Sequence, residues 1–327
     1  MIDLKPILQH GIRAVRQACD VTSRVQAEKA ETHVKEDRSP VTTADMSAQV
    51  IVNNVLADTT PGFSMISEES AKELQDTDNP NLMTDIIKYA GEHVPDLSSD
   101  KVYELLDHGK TAESEYSWVL DPVDGTKGFL RGDQYAIALA LMHKGEVVIG
   151  IMGCPNFETG AGRNGQVFFA AKGQGAWQKS IADGNLGVLK RSEDANQANA
   201  ILAKGVEAGH HNFGIMDSVV AALGTTTDPI RMDGQGKYAC VAGGHAMAYL
   251  RAPRPGSTRK ECIWDHAAGV IIVEEAGGTV TDVTGTKLDF SLGRNLENNT
   301  GIIASHGLYH DELVEYLTKA RAAAGEA

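Results

Sequence analysis

The chain has 327 residues, 42% of them hydrophobic, with 30 basic against 44 acidic side chains and a formal net charge of −14. That length suits two domains or one large layered domain, and the apolar content suits a globular protein with a substantial core. So acidic a surface excludes nucleic acid as a general partner, and it admits a small anionic substrate only where cations reverse the local field.

Leu4, Leu8, Ile12, Val15 and Cys19 recur at helical spacing, so the N-terminus reads as an amphipathic helix rather than a signal peptide. "SPVTTADMSAQVIVNNVLADTTPG" predicts a second amphipathic helix on Met46, Val50, Ile51 and Val55, stopped at Pro61-Gly62. "FSMISEES" reads as a short strand ending in acids. The polar stretch 71–116 carries two helical patterns, "LMTDIIKYAGEH" and "SSDKVYELLDHG", and is expected to be a peripheral insertion. Strands follow at "SWVLD", "QYAIALALMHKGEVVIGIMG" and "GQVFFAAKGQGAW", with Lys144-Gly145 at a hairpin turn.

After a boundary expected near residue 155, "AILAKG" and "TGIIASHG" read as buried strands, with helices over roughly 212–223, 265–276 and 308–322. This alternation favours an α/β layered domain. The scattered Cys19, Cys154, Cys240 and Cys262 form no C-x-x-C pair, which argues for reduced thiols rather than a disulfide scaffold or zinc site. No run approaches the eighteen or so apolar residues of a membrane span. A soluble, cytoplasmic protein with no membrane partner is expected.

The chemistry concentrates in "WVLDPVDGTKGF", residues 118–129. Proline lacks a ladder donor and biases its predecessor to extended geometry, so the strand should end at Asp121 and deliver Asp121 and Asp124 to one turn. Gly125 permits close backbone approach, and Thr126 opens a helix or turn whose free amides favour an anion. Carboxylates beside such a cradle suit a phosphate bridged to metal. The plainer alternative is an Asp-rich turn with Asx hydrogen bonds. Other acids also stand at element ends. Glu68 and Glu69 close a strand, and Asp45 and Asp265 stand at helix starts, where an N-cap is the plainer role.

Taken together, "TTAD", "SEES", "WVLDPVDGTKGF" and "WDHAAG" resemble the lithium-sensitive, magnesium-dependent phosphatase superfamily typified by inositol monophosphatase, over most of the chain. Within it, "DPVDGTKGFLRGDQYAIALAL", "GCPN", "GVEAGH" and "YLRAP…ECIWDHAAG" are most similar to the 3′(2′),5′-bisphosphate nucleotidase branch. The resemblance implies an α/β layered fold, an αβαβα sandwich. An N-terminal α+β domain (1–155), carrying most metal ligands, would pack on a C-terminal α/β domain (156–327).

By the same resemblance, two or three Mg2+ ions would bind. Glu68, Asp121 and the Val123 carbonyl would hold the first, and Asp121, Asp124 and Asp265 the second. Asp45 and Thr126 would orient and deprotonate the attacking water, and the Gly125 and Thr126 amides would grip the phosphate. His210, Lys237 and Arg251 would receive the nucleotide. Gly234 departs from the branch, which typically has a serine there.

The implied activity is hydrolysis of the 3′-phosphate of adenosine 3′,5′-bisphosphate, and of its phosphosulfate analogue, by a monomer. The alternatives are an inositol polyphosphate 1-phosphatase or inositol monophosphatase, and a nucleotide-sensing protein without turnover.

Overall fold

In the computed structural model, residues 2–30, 39–111, 113–159, 162–163, 165–206, 213–253 and 256–324 are described. The first half begins with α1 (Leu4–Ala30), α2 (Ser39–Thr59) and β1 (Ser64–Ser67), then three short helices, α3 (Ala71–Asp76), α4 (Leu82–Ala90) and α5 (Ser99–Leu106). It continues through β2 (Tyr116–Asp124), α6 (Thr126–Arg131), β3 (Ala136–His143) and β4 (Glu146–Cys154). A small hairpin, β5 (Glu158–Thr159) and β6 (Gly162–Arg163), precedes β7 (Gln166–Ala171), β8 (Ala176–Ser180) and β9 (Leu186–Val188).

The remainder runs β10 (Leu202–Lys204), α7 (Phe213–Leu223), β11 (Ile230–Arg231), α8 (Gly236–Ala242), β12 (Ala248–Arg251), α9 (Ala267–Glu275), β13 (Thr279–Thr281), β14 (Ile302–Ser305) and α10 (His310–Ala323). A seven-stranded sheet has the order β1-β2-β3-β4-β7-β8-β9, and a five-stranded sheet the order β11-β10-β12-β14-β13. The helices complete five layers. α1 and α2 cover one face of the large sheet, α8 and α9 fill the space between the sheets, and α7 and α10 close the far face of the small one. This is the αβαβα arrangement that the resemblance implied.

Strand alternation explains why the large sheet can be covered twice. On β3, Ile137, Leu139 and Leu141 join the core under α1 and α2, while Ala136, Ala138 and Ala140 face the second core around α9. Large aliphatics fill the first layer, and small side chains let α9 approach the second. Gly150 on β4 continues that logic, because a β-carbon there would come within 2.5 Å of the Ala268 carbonyl oxygen. The Lys144-Gly145 turn forms as expected, both residues having positive φ (52° and 82°), the geometry of a two-residue hairpin.

Three expectations change. α2 starts at Ser39, so Asp45 lies well inside it and cannot be its N-cap. The 71–116 stretch is not peripheral, because Leu82, Ile86, Tyr89, Val102, Leu105 and Leu106 are buried in the first core. Polar side chains of α2 also bind its backbone, with Gln49 Nε2 donating to the Leu106 carbonyl at 2.9 Å and Asn53 Nδ2 to that of Leu105 at 2.7 Å. Finally, the large sheet continues through β9, so sheet membership does not change at residue 155; it changes between Val188 and Leu202.

Candidate active site

The strand bearing Asp121 does not stop at Pro122. β2 continues to Asp124, but its pairing with β3 slips: Asp121 stands opposite Ala138, and Asp124 opposite Ala136. One extra residue is therefore accommodated in a bulge at Pro122-Val123, where a residue without an amide proton costs no ladder bond. The bulge re-aims the carboxylates at the end of the sheet. Val123 is buried within it, and its amide donates to Asp121 Oδ1 at 3.1 Å. Gly125 then takes φ +97°, the left-handed conformation that glycine adopts without strain, and α6 begins at Thr126.

The third carboxylate arrives from the other half of the chain. Asp265 closes a short 3-10 turn, Ile263–Asp265, just before α9. Ligand oxygens of Asp121, Asp124 and Asp265 lie within 4.8 Å of one another. Glu68, just beyond β1, shares a hydrogen bond with Asp121. Arg294 joins the two halves here, its Nη2 donating to the Ser67 carbonyl at 3.1 Å and its guanidinium stacking 4.5 Å from the Trp264 ring.

Packing acids this closely raises their proton affinity. Burial, then Glu68, Asp124, Asp265 and Asp45, push Asp121 well above the usual carboxylate range. Burial and Asp265 push Asp124 up to about 7, against the opposing pull of Lys237, Arg251 and the Gln235 amide. Glu68 is pushed up to about 7 by burial, Glu69 and Asp265, and Asp45 well up by burial, Glu69 and Glu68. Such mutual repulsion is relieved by a shared cation. The donors offered are carboxylates, and hard oxygen donors fit Mg2+.

A cleft of about 780 Å3 opens beside the carboxylates. Asp45, Asp124, Gly125, Thr126, Lys237, Arg251 and Asp265 all line it. Lys237 is buried, with its Nζ 2.6 Å from the Gly234 carbonyl oxygen and 5.1 Å from the centre of the Tyr249 ring. Burial lowers its pKa, opposed by Asp124. Arg251, at the end of β12, is paired with Glu261. His210 lies outside the described residues.

Several residues here went unread in the sequence. Gln235 is buried and ties three segments together. Its amide bonds Asp124, its side-chain Nε2 donates to the Trp264 carbonyl at 2.8 Å, and its Oε1 accepts from the Gly269 amide at 3.1 Å. It thus links both carboxylate-bearing turns, and its place next to Gly234 was the available signal. Glu69, read in the sequence only as closing a strand with Glu68, also lines the cleft and is pushed up to about 7 by burial and Glu73 against Lys110. Arg131 bridges Asp133 at 2.8 Å and also pairs with Asp233, joining α6 to the loop that carries Gly234.

Residues 3–322 match the sequence model of the inositol monophosphatase family. The chain is 39% identical over 318 residues to a 3′(2′),5′-bisphosphate nucleotidase of Oryza sativa, covering 90% of this chain and 88% of that protein. It is 36% identical over 333 residues to the enzyme of the same name from Dictyostelium discoideum, covering 98% of each. Among solved structures, the inositol monophosphatase of Anabaena (Nostoc) sp. PCC 7120 superposes with a TM-score of 0.64 at 21% identity, over 97% of both chains, a likeness of fold.

Proposed function

The chain belongs to the inositol monophosphatase family, and on that premise we propose that it hydrolyses the 3′-phosphate of adenosine 3′,5′-bisphosphate, giving AMP and phosphate. The relatives named above support the reaction class and the nucleotide. One observation on this chain carries the substrate reading. Lys237 and Arg251 line the same cleft as the carboxylate cluster, together with Lys127, Arg131 and Arg259, so cations stand beside the acids. A second phosphate on the substrate would meet them there.

Mg2+ would be held by Glu68, Asp121, Asp124, Asp265 and the Val123 carbonyl. It would supply positive charge for the attacking and leaving oxygens of an in-line displacement. The protein's own residues do the remainder. Asp45 and Thr126 both line the cleft, and together they orient the attacking water, whose proton passes by way of the Thr126 hydroxyl to Asp45. The water oxygen bonds to phosphorus, the bond to the 3′-oxygen breaks, and that oxygen takes up a proton from solvent to leave as a hydroxyl, while Asp45 returns the proton of the water to solvent. The Gly125 and Thr126 amides hold the phosphate being transferred, while Lys237 and Arg251 hold the 5′-phosphate.

The phosphosulfate analogue presents similar negative charge at the 5′ end and is a second expected substrate. Inhibition by Li+ is expected as well, because Li+ approaches Mg2+ in size with half its charge. It can fill a carboxylate site without stabilising the same developing charge.

The test is a panel with Mg2+ of adenosine 3′,5′-bisphosphate, its phosphosulfate analogue, inositol 1-phosphate and an inositol polyphosphate. The bisphosphate is expected to give the highest kcat/KM. Faster turnover of either inositol phosphate would reassign the substrate, and no turnover of any would leave a nucleotide-binding protein.

A further inference from the structure

Arg251 enters the cleft already engaged. Its Nε donates to Glu261 Oε1 at 2.9 Å, its Nη2 lies 2.6 Å from Glu261 Oε2, and it also donates to the Tyr249 hydroxyl. One hydrogen bond and one close ion-pair contact to the same carboxylate, with the bond to Tyr249, restrict the guanidinium's position and orientation. Glu261 is itself immobilised. Its carbonyl accepts from Leu296 N at 2.9 Å, and the next residue, Cys262, forms a β-bridge with Asn295. On the carboxylate's other side stands His266 Nε2, 3.6 Å from Oε2, and the His266 ring is fully buried and bonded through Nδ1 to the Tyr238 hydroxyl at 2.8 Å.

We propose that Glu261 is a positioning residue. It holds Arg251 in the orientation that receives the 5′-phosphate, and so sets the preference for a bisphosphorylated nucleotide over one with a 3′-phosphate alone. This rests on the nucleotidase reading above. Arg251 and Lys237 line the same cleft, and Arg251 disfavours the charge on Lys237. Two buried cations without a counter-charge would separate or turn towards solvent. The Glu261 carboxylate removes that repulsion and leaves the guanidinium donors it does not use directed at the cleft, which Arg251 lines. The cost is part of the net charge, and the gain is orientation, which a planar fork turns into selectivity.

Glu261 also stands four residues before Asp265. The segment that anchors the phosphate-receiving arginine therefore also carries a carboxylate of the metal cluster, which fixes the span between the two ends of the substrate.

The test compares kcat/KM for adenosine 3′,5′-bisphosphate and for 3′-AMP in wild type, Glu261→Gln, Arg251→Gln and the double variant, at saturating Mg2+. Glu261→Gln is expected to lower the bisphosphate to 3′-AMP ratio about tenfold or more, chiefly through KM. Because Glu261 acts through Arg251, the double variant should shift the ratio no further than Arg251→Gln does. Glu261→Asp keeps a negative charge beside the buried cation and should give a folded protein with an intermediate ratio.

Equal losses on both substrates, or single losses that multiply in the double variant, would overturn the role of Glu261. A wild-type ratio near one would remove the 5′-phosphate contact and this proposal with it, whereas no turnover of either nucleotide would overturn the nucleotide reading itself.

Discussion

Gly234 and Asp124 meet backbone to backbone: a β-carbon on Gly234 would lie 2.4 Å from the Asp124 carbonyl oxygen, and its φ of +67° is one that side chains rarely adopt. The contact runs both ways, since a β-carbon on Gly125 would lie 2.9 Å from the Gly234 amide nitrogen. The loop before α8 therefore bears directly on the turn that presents the carboxylates.

Gly234→Ser would restore the residue typical of the branch, yet it is expected to harm this protein. The left-handed backbone and the contact with a carbonyl that cannot retreat should cost roughly 1–3 kcal/mol of stability. Displacing Asp124 should lower turnover as well. Thermal melting and a single kcat/KM measurement decide the matter. Unchanged melting with tighter nucleotide binding would mean that the loop has room to adjust.

The metal-free protein should lose stability as pH rises. Asp124 and Glu68 titrate at about 7 in the fold, and Asp121 is raised as well, against about 4 in the unfolded chain. A carboxyl that holds its proton more tightly when folded stabilises fully below its unfolded value, and that contribution is lost as pH rises through the folded one. Melting without Mg2+ should accordingly fall between pH 5 and pH 8, and Mg2+ should restore it at pH 8 much more than at pH 5. Asp121→Asn should flatten the profile. A metal-free protein that becomes more stable over this range would contradict the clustering of ionised acids.

Much of this arrangement was legible because strands alternate and acids stand beside breakers. "LDPVDGT" announced its turn, and "ALALMHKGEVVIG" announced its hairpin. What stayed hidden depended on distance along the chain or on averaging over faces. Ser67 and Arg294 are 227 residues apart, and no local pattern pairs them. The 71–116 stretch read as peripheral because acidic outer faces dominate its composition, although Leu82, Ile86 and Tyr89 already stood at helical spacing. Asp45 read as a cap because the apolar pattern starts at Met46, whereas the helix begins at Ser39, with Pro40 tolerated in its first turn.

Asp265→Asn should nearly abolish turnover at saturating Mg2+ while the fold persists. One oxygen donor with full charge is lost from a group held within 4.8 Å, and the repulsion among the others is eased. Turnover close to wild type would remove Asp265 from the metal site.

Thr126→Ala should separate rate from binding. The hydroxyl is assigned to proton transfer and not to holding the ion, so kcat should fall roughly a hundredfold or more while the Mg2+ concentration for half activity barely moves. Weakened Mg2+ affinity at an unchanged maximal rate would place Thr126 among the ligands instead.

Lys237→Ala is the sharpest probe of specificity, because two roles of the same side chain predict different kinetics. If its ammonium receives the 5′-phosphate, it acts far from the bond being broken. A charge-assisted contact there is worth about 1.5–3 kcal/mol, or roughly ten- to a hundredfold in kcat/KM. That loss should fall on adenosine 3′,5′-bisphosphate and spare most of the activity on 3′-AMP, which has no 5′-phosphate. The same ammonium, however, lies 2.6 Å from the Gly234 carbonyl oxygen, and Gly234 rests on Asp124. If that tether is its main role, the substitution loosens the loop and disturbs the carboxylates, and both substrates suffer alike. Measuring kcat/KM for both, in wild type and variant, separates the two cases: the bisphosphate ratio should fall at least tenfold, and a parallel fall in both substrates would make Lys237 a support of the turn and no part of the nucleotide pocket.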